Sequence, residues 1–164
     1  MTWELIESQT LGSAASSVTF SSGLSAYKFF RLSGCVVKDA SAADVLISLN
    51  GDTTNADYSR QDVTASSTSV SGARDTGASI VARMLSTGGL GVSEAGSYVA
   101  LIAKPSASKK AQIVAQNGER ATVTLGITGT EWSNTSDSVS SLAVLASSGS
   151  FAAGTSFLLE GLVA

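Results

Sequence analysis

From Thr122 to Thr128 the chain reads Thr-Val-Thr-Leu-Gly-Ile-Thr, a period of two that suits a β-strand and no helix. Val123, Leu125 and Ile127 then share one face, and the alternation predicts that this face is buried while Thr and Gly meet solvent. Ala111 to Gln116 reads as a second strand. The two segments flank Asn117-Gly118, a pair that accepts positive φ at both central positions of a type I′ turn. A hairpin turning at Asn117-Gly118 is the expectation. Asp44 to Leu49 likewise runs into Asn50-Gly51-Asp52, where β-forming residues give way to turn chemistry.

Further strands are expected at Trp3 to Gln9, Ser17 to Phe20, Tyr27 to Val37, Ser79 to Leu85, Ser97 to Ala103, Val139 to Ala146 and Thr155 to Val163. Ala78 to Ser86 has helix-compatible spacing, but the glycines around it favour a strand. The Ser-rich patches Ala65 to Ser71 and Ser133 to Ser141 read as loops or edge strands. Eight to ten short strands, with turn signals between them and no alternating helices, predict an all-β fold, an antiparallel β-sandwich that is jelly-roll-like. With one proline and no long linker, residues 1–164 are expected to form a single domain.

Charged residues make up only 14% of the chain, and serine occurs 30 times, so small polar side chains supply much of the surface. Such a surface orders at little side-chain entropy cost and suits packing against neighbours, although Ser and Thr also simply occupy outward strand positions. The net charge of −3, with ten scattered basic residues, leaves no electrostatic footprint for a phosphate backbone, so nucleic acid is not an expected partner. No apolar run reaches the length of a membrane-spanning helix, and no membrane partner is expected. Two glutamates and no basic segment open the chain, which does not fit a Sec-type signal peptide. Cys35, beside Val36 and Val37, reads as a small buried hydrophobe.

The chain contains no histidine, which removes the commonest general base, metal ligand and partner of a nucleophilic Ser or Cys. Ser106-Ala107-Ser108-Lys109 has the Ser-x-x-Lys spacing of serine acylases, but it follows Pro105 without companion motifs and reads as a basic loop. Glu94, Glu119 and Glu131 lie in separate segments, with nothing to bring two of them across a cleft as glycoside hydrolysis requires. Asp52, Asn55 and Asp57 form the one oxygen-rich cluster. It could begin a calcium site, but the simpler account is that these side chains cap their own turns. Gly88-Gly89-Leu90-Gly91 matches no phosphate-binding loop. No enzymatic activity, cofactor or metal is expected. Trp3 and Trp132 stand at element edges, where an aromatic packs a core or rim, anchors a partner or stacks on a sugar.

Several segments in order resemble small structural proteins of tailed bacteriophages: Trp3-Glu4-Leu5-Ile6-Glu7, Ser16 to Phe20, Leu49 to Asp52 with Tyr58-Ser59, Gly129 to Trp132, and Gly149 to Phe157 followed by Gly161. The chain departs from that pattern near its end, with Leu158-Leu159-Glu160 where the family usually carries an aromatic. The resemblance implies a β-sandwich virion protein, assembled in the host cytoplasm and placed on the capsid surface or tail. The leading expectation is a head decoration (cement) protein, a homotrimer that binds the major capsid protein and stabilises the shell. Trp3, Leu5, Ile6 and Trp132 are the expected interface residues. Met1 to Leu11 either adds a strand to a neighbouring sheet or pairs within its own. The alternative is a tail-fibre or receptor-binding module that contacts a host-surface glycan through Trp132 and the Asp52 to Asp57 loop.

Overall fold

The computed structural model describes residues 1–37, 44–66, 68–76, 82–86, 95–119 and 124–163. Twelve strands follow in order: β1 (Thr2–Thr10), β2 (Ser17–Phe20), β3 (Phe29–Val37), β4 (Asp44–Leu49), β5 (Tyr58–Ser66), β6 (Ser69–Thr76), β7 (Ala82–Ser86), β8 (Ala95–Ala103), β9 (Ala111–Glu119), β10 (Thr124–Trp132), β11 (Leu142–Ala146) and β12 (Ser156–Val163). Eight of them form one sheet in the order β1-β12-β3-β8-β9-β10-β5-β6, and four form a second in the order β2-β11-β4-β7. Every pairing among the described residues is antiparallel. The two sheets pack into a sandwich, as expected of an all-β chain.

The core is built from one face of each sheet. Val45, Ile47 and Leu49 of β4, Val18 and Phe20 of β2, and Leu142 and Val144 of β11 are buried from the small sheet. Facing them are Phe30 and Leu32 of β3, Ala100 and Ile102 of β8, Ile113 and Ala115 of β9, Phe157 and Leu159 of β12, and Trp132 of β10. Each set alternates along its strand as a half-buried sheet requires. A hydroxyl also ties β3 to the segment before β12: Thr155 Oγ1 accepts from Val37 N and donates to Val37 O, at 3.0 and 3.1 Å.

β10 reverses the expected facing. Leu125 and Ile127 are exposed, while Thr128, Thr130 and Trp132 are buried. Because side chains alternate strictly, one anchored residue fixes the facing of its whole strand, and Trp132, completely buried, is that anchor. A second constraint comes from Gly126, which pairs with Asn117 of β9. A Cβ at Gly126 would collide with the Asn117 side chain, so the glycine makes room for this buried amide. Asn117-Gly118 is accordingly not a turn. Both residues lie within β9, paired with β8 and β10, and the hairpin continues to Glu119 and Thr124. Thr122 and Val123 lie outside the described residues.

Asn50-Gly51 does turn, with φ of 54° and 68°. β5 and β6 were not marked by strong alternation, yet β5 joins β10 to β6, and β6 forms an edge of the large sheet. The expected strand at Ser79 to Leu85 is seen as Ala82–Ser86, and residues 79–81 are outside the described set. Cys35 is half-buried rather than buried. Strand parity puts it on the outer side of β3, opposite Ser97 and Ser156. β1 pairs with β12 of its own sheet from Thr2 to Thr10, with a bulge between Leu5 and Glu7.

Candidate functional site

The outer face of the large sheet, away from the small sheet, carries the unusual chemistry. Pairing registers define its rows. One runs Leu5, Glu160, Arg31, Leu101, Val114, Gly129, Gln61, Arg74. The next runs Leu158, Ser33, Val99, Gln116, Ile127, Val63, Gly72. Flanking rows add Trp3 with Leu162 on one side, and Leu125, Ala65 and Val70 on the other. Of the ten large apolar side chains exposed among the described residues, every one except Met1 belongs to this face. Exposed apolar side chains gathered on one face are a common feature of contact sites.

Arg31, Glu160 and Glu131 on this face have partners within the fold. Arg31 makes a two-pronged bond to Glu160, Nε to Oε2 at 2.6 Å and Nη2 to Oε1 at 2.7 Å, and its guanidinium lies 5.0 Å from the centre of the Trp3 ring. Hydrogen bonds from Arg31, aided by its charge, hold Glu160 below the ordinary carboxylate range. At the rim, Glu131 accepts from Lys110 Nζ at 2.7 Å and Gln112 Nε2 at 3.0 Å. Lys110 chiefly, then Gln112, lower its pKa despite some desolvation. A depression of about 340 Å³ opens beside these groups, lined by Trp3, Phe29, Leu101, Val114 and Leu162 among others.

The interface residues expected from sequence divide between surface and core. Trp3 and Leu5 lie on the outer face, at 36% and 60% exposure. Ile6 packs against the core while partly exposed, and Trp132 is completely buried. The bulge after Leu5 explains the split along β1, since an extra residue shifts the strand's facing. Leu101, Val114, Val63 and Phe29 were not singled out by their spacing. The usable signal was Tyr98-Val99-Ala100-Leu101-Ile102, apolar at both parities, the pattern of a strand covered on both faces.

The oxygen-rich loop turns inward. Asp52 Oδ2 accepts from Trp132 Nε1 at 2.7 Å, and its Oδ1 accepts from Thr54 N at 2.9 Å. Burial pushes the Asp52 carboxyl up, but the bonds from Trp132 and Thr54 outweigh it and leave the group below its ordinary value. Asp57 Oδ1 accepts from Ser133 Oγ at 3.4 Å. These side chains fasten the loop to β10 and the segment after it. No cluster of three or more acidic, Cys or His side chains suited to a metal occurs among the described residues.

Lys104, which follows β8, is buried with its ammonium held by three carbonyls: Ala107 O at 3.1 Å, Asn134 O at 2.6 Å and Lys109 O. It also sits 5.3 Å from the centre of the Trp132 ring. This cage shapes the Ser106 to Lys109 segment, a turn in which Lys109 N donates to Ser106 O and the two serine hydroxyls meet at 3.1 Å. Glu119 has no described side chain, and Glu94 and Gly88 to Gly91 lie outside the described residues. No helix among the described residues is long and apolar enough to cross a membrane. Compared with known proteins, the chain matches no family model, no curated protein and no solved structure.

Proposed function

We propose that this chain is a non-catalytic structural subunit of a tailed-phage virion, a head decoration (cement) protein that binds the outer shell and stabilises contacts between major capsid subunits. The observation that carries the structural part of this reading is the apolar outer face of the eight-stranded sheet, with its exposed Leu5, Leu101 and Leu125. A lone molecule gains nothing from leaving these side chains in water, and covering a large aliphatic one fully is worth roughly 1.5–3 kcal/mol. The placement on a phage head rests on the sequence resemblance alone.

The chemistry of the polar groups supports a structural role. Asp52, Glu131 and Glu160 each hold partners within the fold, and Lys104 is consumed in its carbonyl cage. Of the contacts expected for a glycan, Trp132 is buried and Asp52 is bonded to it, so that alternative rests on the rest of the Asp52 to Asp57 loop. Electron microscopy of purified virions, with the copy number measured alongside, tests the proposal. Many copies arrayed over the head support it. A few copies at the tail, or none in the particle, overturn it.

A further inference from the structure

We infer that the outer face of the eight-stranded sheet pairs with the same face of a second copy of this chain, with Leu101 and Val114 near the centre of the contact. This deepens the proposed structural role and rests on it in one respect: both require the face to be covered in use.

Two features of the chain point to a covered face. β8 is apolar at both parities, Ala100 and Ile102 facing the core while Val99 and Leu101 face out, as in strands that are buried on both sides. At β10 the usual distribution is inverted. Thr128 and Thr130 point inward, and Leu125 and Ile127 point outward at 53% and 42% exposure. A free sheet gains nothing from that arrangement, whereas an inner layer of the four-layer stack made by two copies does.

Size and charge favour a second copy as the occupant. Eight strands at about 4.8 Å spacing, with four rows of outward side chains at about 6.8 Å, present on the order of 1,000 Å². A stable interface of standard size takes about 800 Å² from each partner. The charged side chains that point outward from the four central strands β3, β8, β9 and β10, among the described residues, are Arg31 and Glu131. Glu160 and Lys110 already neutralise them. Arg74 stands on the edge strand β6, so two such faces meet without repulsion at their centre although the whole chain carries a net charge of −3. A strongly charged partner would find no complement here. Because each copy contributes the same patch, the pairing is two-fold, in place of the trimer that the sequence resemblance implies.

Sedimentation of the purified full chain from about 1 to about 100 µM tests the inference, a range that brackets a micromolar dissociation constant. The expected result is a dimer that dissociates on dilution. Leu101→Glu and Val114→Lys each raise the dissociation constant roughly 100-fold or more, since each sets a charge against apolar side chains of the other copy. Both sites are half-exposed in the monomer, so melting temperature and circular dichroism stay near wild type. Thr19→Glu, exposed on β2 of the small sheet, leaves the dimer intact. Trp3 gives a second readout: acrylamide quenches it in the monomer and not in the dimer, while buried Trp132 stays protected in both. A wild-type monomer at the highest concentration, a trimer, or a dimer indifferent to both substitutions overturns the inference. Should the wild-type monomer bind heads while Leu101→Glu does not, the face meets the capsid and only the self-pairing falls. A dimer that is missing from virions leaves the pairing standing and removes the virion reading.

Discussion

The Trp132 indole donates to Asp52 Oδ2 at 2.7 Å and so joins two positions 80 residues apart. Tyr58 stacks on the same indole, its ring centroid 6.5 Å away, and its hydroxyl accepts from Leu49 N and donates to Asp52 O. One loop thereby fastens β4 of the small sheet to β5 and β10 of the large one. Asp52→Ala leaves a buried indole N–H without an acceptor and should cost about 1–3 kcal/mol in urea unfolding. Asp52→Asn keeps an acceptor oxygen and should cost less. The folded carboxyl lies below its ordinary value, so its contribution is present above the unfolded pKa and is lost as pH falls through the folded one. Acid unfolding of Asp52→Asn should be correspondingly shallower than that of wild type.

At the alkaline end two buried tyrosines, Tyr58 and Tyr98, matter. Burial is the main cause that pushes the Tyr58 phenol from 10.0 up to about 12, and Tyr98 is also raised well above 10.0 by burial. A raised pKa means that the folded state holds its proton longer than the unfolded chain does. The stabilisation is therefore complete below pH 10 and declines as pH rises toward about 12. The loss from Tyr58 is about 3 kcal/mol. Tyrosinate absorbance should rise in step with unfolding for these two residues, and Tyr58→Phe should flatten the alkaline limb.

Lys104 holds three loop carbonyls at once. Lys104→Met keeps most of the buried stem but deprives those oxygens of their donor, and should cost about 2–3 kcal/mol. Hydrogen exchange should quicken in the Ser106 to Lys110 turn and around Asn134 while β12 stays protected. Equal acceleration throughout the chain would contradict this role.

Gly161 lies under the Tyr27 ring, and a Cβ there would meet ring carbons, with Cε1 at 2.6 Å. Gly34 is similar, since its Cβ would stand 2.6 Å from the Tyr98 hydroxyl and strike the Ser156 carbonyl. Alanine at either position should destabilise by about 1–3 kcal/mol through overpacking. Gly34→Ala should be the worse, because a backbone carbonyl cannot swing aside as a ring can. Gly12, with open space around it, should accept alanine with little change in melting temperature.

The two Asn-Gly pairs show what local chemistry does and does not reveal. At Asn50-Gly51 it is decisive, and the Asn50 side chain adds bonds to Ser138, Ser140 and Ser141 that brace the turn. At Asn117-Gly118 the same dipeptide runs straight through a strand, because a space above Gly126 accepts the amide. That space belongs to a neighbouring strand, which a local reading does not include. The strand at Leu125 to Thr128 was legible for the same reason that its facing was not: alternation fixes the period, while Trp132 at its end fixes which side is in. Trp3 and Leu5 of the outer face were legible as edge aromatics and aliphatics. Leu101 and Val114 join them only through registers that span the whole sheet.

β12 sits between β1 and β3, so Trp3 meets Leu162 and Phe30 meets Gly161. The large sheet consequently cannot close until residues 156–163 are in place, and β1 waits unpaired for a strand about 150 residues away. Long-range closure of this kind slows folding to milliseconds or longer, and unfinished sheets of apolar strands are prone to associate wrongly. Completing the large sheet thus depends on seating one strand between two partners that lie far from it in the sequence.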